Sequence, residues 1–311
     1  MMLENKQYTW LVTGSAGFIG SNLVNFLLDN NQKVVGLDNM SNGKKDNFPK
    51  KIQNFKFING DIRSLDICME ASYSCDFILH QAAVGSVPRS FKDPITFNEI
   101  NIGGFLNILI SYKESKSIRN LVYASSSSVY GDNLELPKIE ENIGNPLSPY
   151  ALTKRTNEIY GNLFYKQFGL KNIGLRYFNV FGRNQDPQSN YSAVIPKWIK
   201  CLLLGEKATI FGDGSTSRDF CHVDNVVQAN VLAALSNSKE SFGEIFNVAY
   251  GKSTSLEDLY SLITNKLGKE KNIQYSEYRE GDIKHSLANL DRARKLLKYK
   301  PEVDLSNGLD L

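Results

Sequence analysis

The chain is poor in the residues that build metal centres and disulfide frameworks. Its 311 residues hold three histidines and four cysteines, Cys68, Cys75, Cys201 and Cys221, with no CxxC pair and no zinc-ligand spacing. No metal site is expected, and the thiols read as reduced and structural, as in a cytoplasmic protein. Long apolar runs are lacking too. The segment MMLENKQYTWLVTG carries an acidic residue and only a short apolar stretch, so it reads as neither a signal peptide nor a membrane span. Neither sign of charge dominates. The 36 basic and 33 acidic residues are interspersed and leave a net charge of +3, which argues against a broad basic surface for nucleic acid or membrane and makes any anion site local. Repeats and low-complexity tracts are missing as well. What remains, 41% hydrophobic and 22% charged residues, is the balance of a globular enzyme. The length allows one large α/β unit or two closely packed domains.

Short β-branched or apolar runs recur through the first 180 residues: TWLVT from Thr9, KVVGL from Lys33, FKFI from Phe55, DFILH from Asp76, NLVYAS from Asn120 and NIGLRY from Asn172. Helical patterns lie between several of them, such as Ile19, Leu23 and Leu27 at spacing four and the stretch 101–112. This alternation predicts an α/β fold with a doubly wound parallel sheet in residues 1–180. Gly- and Pro-punctuated pieces follow, with helices expected near 194–204, 224–235 and 256–267, so residues 181–311 read as a smaller mixed α/β substrate domain. The run EIFNVAY from Glu244 resembles another buried strand, and it is expected to return to the first sheet.

Directly after the first strand comes GSAGFIG, which places Gly14, Gly17 and Gly20 in a turn and the first helical turn. Glycines there permit close backbone approach, and the helix N-terminus offers unpaired N–H groups to a pyrophosphate. Bare glycines of this kind are often only a turn. Here Asp38 stands at the end of the next strand, 18 residues beyond Gly20, where a carboxylate can accept from both adenosine ribose hydroxyls. It would repel the extra phosphate of NADP, so NAD is the expected cofactor. The expected site takes Gly14, Gly17, Phe18, Ile19 and Gly20 from the turn, then Asp38 and Asn39, Asp61 and Ile62, and Gln81, Ala82 and Ala83. Asp61, in NGDIR, reads either as an adenine contact or as a plain turn aspartate.

In LSPYALTK, Ser148 suits an N-cap and Pro149 the first helical position, so Tyr150 and Lys154 fall one turn apart on one helix face. A free phenol is only about 0.1% ionised at pH 7; making it a base takes roughly 4 kcal/mol of preferential phenolate stabilisation. Lys154 and a positively charged nicotinamide are suited to supply it. A Tyr and Lys at this spacing occur in many helices by chance. The run ASSSSVYGD, at the end of the fifth predicted strand, adds Ser126 as a hydroxyl able to bond the reacting group and shuttle its proton.

Taken together, TGSAGFIGSN, the serine run before VYGD, YALTK and RYFNVFG resemble the extended short-chain dehydrogenase/reductase family over nearly the whole chain. Within it, HQAAVGSVPRS, IGNPLSPYALTK, RYFNVFGRNQDP, AVIPKW, GDGSTSRDF and REGDIKHS are most similar to the UDP-N-acetylglucosamine 4-epimerases. The resemblance implies catalytic roles for Ser126, Tyr150 and Lys154, with Ser128 close to the sugar and Lys154 also holding the nicotinamide ribose. It implies uridine diphosphate contacts at Asn179, the Ala193 and Val194 backbone, Lys197, Trp198, Arg218, Arg279 and Asp282. Read without the family, Arg218 and Arg279 would be surface or ion-pair arginines. Gly85, Ser86 and Ser286 map to the hexose pocket, where a serine at 286 leaves room for an acetamido group.

The resemblance thus implies reversible, NAD-dependent inversion at sugar carbon 4, with UDP-N-acetylhexosamines preferred over UDP-glucose and UDP-galactose. It also implies a homodimer built from helices around 101–112 and 150–168. Related 4,6-dehydratases carry an Asp-Glu pair where this chain has Ser127 and Ser128, which disfavours dehydration. UDP-uronate epimerisation is a competing reading that HQAAVGSVPRS argues against. A catalytically silent NAD sensor is the alternative from another class, and intact Ser126, Tyr150 and Lys154 weigh against it.

Overall fold

A computed structural model describes residues 3, 6–50, 52–186, 193–278 and 283–311. The six apolar runs form strands β1 (Thr9–Thr13), β2 (Lys33–Asp38), β3 (Phe55–Asn59), β4 (Phe77–His80), β5 (Asn120–Ser126) and β6 (Asn172–Tyr177). Between them run helices α1 (Phe18–Asp29), α2 (Leu65–Ser72), α3 (Val87–Lys92), α4 (Pro94–Asn98), α5 (Gly104–Glu114) and α6 (Pro149–Phe168). Later come the short strands β7 (Val180–Phe181), β8 (Ala208–Phe211), β9 (Ser217–Asp219) and β10 (Cys221–His222), then β11 (Glu244–Val248), β12 (Ser253–Ser255) and β13 (Ile273–Ser276). Helices α7 (Val194–Leu204), α8 (Val223–Ala234), α9 (Leu256–Leu267), α10 (Asp291–Leu297) and α11 (Leu305–Gly308) complete the order.

Seven strands pair in parallel in the order β3-β2-β1-β4-β5-β6-β11. β11 enters from the second half of the sequence and pairs with β6 from Glu244 against Ile173 to Val248 against Tyr177. Strand order reverses between β1 and β4, so the crevice outside their carboxyl ends is where such a sheet binds ligands.

Both sheet faces are covered, which is why its strands read as near-continuous apolar runs. Trp10, Val12, Val122 and Leu175 face Leu23 and Leu27 of α1 and Val226 and Val227 of α8. Alternate residues Leu11, Ile78, Leu121 and Tyr123 face Cys68 of α2 and Phe105, Ile108 and Leu109 of α5. A separate core gathers Ile195, Trp198 and Leu202 of α7, Ile210 of β8 and Leu259, Tyr260 and Ile263 of α9.

The helix expected over 101–112 does not begin as an α-helix. Glu99–Gly103 forms a wider π-turn before α5. Asn101 explains its use: the buried side chain takes the Val84 N–H at 2.9 Å and donates to the Val84 carbonyl at 3.1 Å and the Thr153 hydroxyl at 3.0 Å. Its own carbonyl accepts from Asn157 at 2.9 Å. The turn thus pins the loop after β4 to α6. Burial pushes the Cys68 and Cys75 thiols up to about 12, as suits inert core residues. Among the described residues there is no His/Cys/Asp/Glu cluster able to hold a metal, and no helix long and apolar enough to cross a membrane.

Candidate active site

At the turn from β1 to α1, Gly14 has φ +67 and donates its N–H to the Leu37 carbonyl at 2.8 Å. Gly17 is the N-cap of α1, with no side-chain cap and no acidic residue in the first turn. A Cβ on Gly20 would lie 2.0 Å from the Gly14 carbonyl oxygen, and one on Gly14 would lie 2.8 Å from the Ala82 nitrogen. The turn, the first helical turn and the loop after β4 thus approach as bare backbone, and the uncapped N-terminus of α1 faces the cleft with free N–H groups suited to a pyrophosphate.

Asp38 ends β2 at 9% exposure, its carboxylate held by the Ala16 N–H at 3.0 Å and the Met40 N–H at 2.8 Å. Those two bonds leave further lone pairs on the carboxylate for ribose hydroxyls. Asp61 is occupied differently. Arg63 grips it with a two-pronged bond at 3.1 and 2.9 Å and Asn39 donates at 2.9 Å, which together lower its carboxyl to about 2.

Every cofactor residue expected from the sequence lines one cleft of about 800 Å³, running from the Gly14 turn past Asp38 and Asp61 to Tyr150 and Lys154. Gly85 and Ser86 line it as well. A groove of about 920 Å³ between α1, α8 and the segment around Lys300 is larger but carries no catalytic candidate. The catalytic candidates Tyr150 and Lys154 lie in the smaller cleft.

At its inner end Ser148 caps α6 by accepting the Ala151 N–H at 3.1 Å, and Pro149 takes the first helical position. Tyr150 is half-buried. Burial pushes its phenol up, and a hydrogen bond with Ser126 pulls it back. Lys154 is buried, its ammonium donating to the Ala124 carbonyl at 2.9 Å, and burial lowers it to about 8. The Lys154 ammonium is aimed at the end of β5, one helical turn from Tyr150. Ser126 also accepts the Ser128 N–H at 3.2 Å, and the Ser128 hydroxyl is buried without a partner among the described residues.

A pH dependence follows from Lys154. Its folded value lies below the ordinary 10.5, so the stability tied to it is present at alkaline pH and lost as pH falls toward about 8. The ammonium itself is lost as pH rises through about 8. We expect kcat/KM to fall along a single-proton limb above that point, and a rate profile flat to pH 10 would contradict it.

The remaining expected residues divide. Asn179 has φ 33 and donates to the Asp219 carbonyl at 3.2 Å. Ala193 is the N-cap of α7, without a side-chain cap, and Val194 opens that helix; Lys197, one turn on, is exposed. Arg218 on β9 donates to the Ser217 and Lys284 carbonyls at 3.0 and 3.2 Å. Ser286 donates its N–H to the Ser217 carbonyl at 3.0 Å, on the same strand. None of these is among the residues lining the 800 Å³ cleft. Trp198 is 2% exposed; its indole packs edge-on to Tyr260 and donates to the Thr209 carbonyl at 3.2 Å, because the apolar face of α7 turns inward. Arg279 and Asp282 lie outside the described residues.

Three residues were missed. Thr13 accepts the Gln81 and Ala82 N–H groups at 3.2 and 3.1 Å, leaving its proton for His80 Nδ1 at 2.8 Å. Burial holds His80 down at about 3, so the ring is neutral and this bond anchors the cofactor loop. Tyr177 lines the cleft and donates to Gln81 at 3.1 Å. Arg89 lines it too, half-buried and without a carboxylate partner among the described residues. Tyr177 and Arg89 stood inside quoted motifs, RYFNVFG and HQAAVGSVPRS, but spacing alone does not say that they face the cleft.

The model of the NAD dependent epimerase/dehydratase family matches residues 10–249. The chain belongs to this family. Its cofactor is NAD, which the glycine cradle and Asp38 fit. The UDP-N-acetylglucosamine 4-epimerase from Methanobrevibacter ruminantium, solved with UDP-N-acetylmuramic acid, is similar at 38% identity and TM-score 0.92, covering 98% of both chains. The UDP-glucuronic acid 4-epimerase from Bacillus cereus, solved with UDP-glucuronic acid and NAD, is similar at 32% identity and TM-score 0.88, covering 97% of this chain and 96% of that one. The UDP-glucose 4-epimerase of Mycolicibacterium smegmatis is 36% identical over 303 residues, 96% of this chain and 95% of its own. This epimerase-family chain is thus similar to enzymes named for three different sugars.

Proposed function

We propose that the protein interconverts UDP-sugars epimeric at carbon 4, with UDP-GlcNAc and UDP-GalNAc as its preferred pair. The observation that carries this reading is that Tyr150 and Lys154 line the inner end of a cleft that fits NAD, beside the end of β5 that carries Ser126. Tyr150, as phenolate, takes the proton of the sugar 4-hydroxyl, with Ser126 bonded to the same oxygen. NAD held by the Gly14–Gly20 turn and Asp38 would supply the reversible hydride acceptor for carbon 4. Lys154 holds positive charge below the phenol and a donor for the nicotinamide ribose. Turning the 4-keto sugar over before the hydride returns requires a held nucleotide and a loosely held hexose.

In this reading residues 1–180, with β11, form the NAD domain, and residues 181–311 form the UDP domain. Asn179, the α7 N-terminus with Ala193 and Val194, Lys197, Arg218, Arg279 and Asp282 hold the nucleotide. Gly85, Ser86, Ser128 and Ser286 surround the hexose. A Cβ on Gly85 would touch nothing within 4 Å, which supports space for an acetamido group there. We also propose a cytoplasmic homodimer. Its support is the apolar face that α6 presents through Leu152, Ile159 and Leu163, at 54%, 55% and 45% exposure.

A second reading, UDP-uronate epimerisation, gains from Arg89. A uronate needs a cation of its own, and Arg89 is one on the cleft wall with no acidic partner among the described residues. Turnover of UDP-GlcNAc, UDP-glucose and UDP-glucuronate by the wild type and Arg89→Ala separates the two. The first reading predicts that UDP-GlcNAc turns over fastest and that the variant changes its kcat/KM by less than about threefold. Fastest turnover of UDP-glucuronate, lost selectively in Arg89→Ala, would replace it with the second.

A further inference from the structure

We propose that Glu158, paired with Arg176 and acting through Ser125, is a positioning residue that holds Ser126 and Tyr150 in register for catalysis. The inference rests on the proposed function for its chemistry and on the following geometry for its residues.

Tyr150, Lys154 and Glu158 stand four apart along α6 and so share one face of the helix. Two successive residues near the end of β5 are each bonded to one of them: the Ala124 carbonyl accepts from Lys154 at 2.9 Å and the Ser125 hydroxyl donates to Glu158 at 2.6 Å. The next residue, Ser126, is the group that lowers the Tyr150 phenol. Glu158 is the fixed point of this set. Its side chain is 1% exposed and that of Arg176 2%, and the guanidinium meets the carboxylate through two parallel bonds at 2.8 and 2.9 Å. Arg155 adds a third charged donor at 3.0 Å.

Arg176 is itself held from the other side. It sits on β6 directly opposite Ser125 in the strand register, donates to the Glu140 carbonyl at 2.9 Å, and lies 4.7 Å from the centre of the Tyr130 ring. Glu158 is thus bonded at once to β5 and β6 while belonging to the helix that carries the phenol. A buried ion pair contributes little net stability over apolar packing, since desolvation offsets most of its attraction. What a forked pair does supply is a fixed geometry. Ser125 passes that geometry to the next residue, Ser126, whose hydroxyl acts on the Tyr150 phenol.

The first test is Ser125→Ala, which deletes one hydroxyl and leaves the ion pair whole. We expect kcat to fall at least about tenfold, with KM for the UDP-sugar and the NAD content unchanged. The acid limb of the kcat profile should move to higher pH, because a displaced Ser126 no longer pulls the Tyr150 phenol down. Ser125→Thr, which keeps the hydroxyl, should restore both. Glu158→Gln should show the same two changes, more strongly; if it fails to fold, the serine pair decides alone. The proposal is overturned if Ser125→Ala keeps the wild-type kcat and acid limb. It is equally overturned if its loss appears as a lowered NAD content with an unmoved limb, the mark of general loosening. Failure of the proposed function would look different, because then the wild type would turn over no UDP-sugar at all.

Discussion

Replacing Tyr150 with phenylalanine is expected to lower kcat by about three orders of magnitude and to leave the NAD content and the fold intact. In the proposed mechanism the phenol oxygen is the proton acceptor of the first step, and phenylalanine keeps the ring that packs edge-on against Phe97 at 6.3 Å. The stability lost with a single hydroxyl is about 1 kcal/mol, and the relief of burying a polar group offsets part of it. KM should stay within a few-fold, since nucleotide binding is assigned to α7 and β9, away from this side chain. Steady-state kinetics beside quantification of released NAD separates the two effects. A variant with most of its turnover would remove Tyr150 from the mechanism.

The second large effect is expected from Gly20→Ala. The new methyl would stand 2.0 Å from the Gly14 carbonyl oxygen, and that carbonyl cannot yield freely. It accepts the Gly17 N–H at 3.0 Å, while the Gly14 N–H is fixed to Leu37 at 2.8 Å. Moving it opens the cradle. Overpacking of this kind costs about 3 kcal/mol where the neighbour is backbone, and here the displaced backbone is the pyrophosphate site itself. The purified variant should carry little NAD, and its denaturation midpoint should fall. Gly103→Ala is the control, because a Cβ there meets nothing within 4 Å. Full NAD content in Gly20→Ala would contradict the account of the cofactor site.

The sheet was legible because both of its faces are buried, so each strand announced itself as an apolar run between turn residues. β11 could be suspected for the same reason, though only the structure shows that it pairs with β6. The glycine turn, Asp38 and the Tyr150–Lys154 pair were legible because local spacing determines them. Residues whose role depends on where an element docks were not. Glu158 reads in sequence as a solvated helix carboxylate, and it is buried because α6 lays that face on β5 and β6. Trp198 shows the same dependence: its motif says nothing of the core it joins, which the amphipathic face of α7 decides. Arg89 reads as an ordinary helix arginine until the cleft beside it and the missing acidic partner are seen together. The π-turn at Glu99–Gly103 has no periodic signature, since it breaks the very period that marks a helix.

The central claim is transient oxidation at carbon 4, and its most direct test follows the hydrogen on that carbon. The purified protein, without added cofactor, is incubated with UDP-GlcNAc deuterated at carbon 4, and the products are examined by NMR. The account predicts UDP-GalNAc with the deuterium still on carbon 4, now on the opposite face. Product that has exchanged this deuterium for solvent hydrogen, or no change in any UDP-sugar even after NAD is supplied, would contradict it.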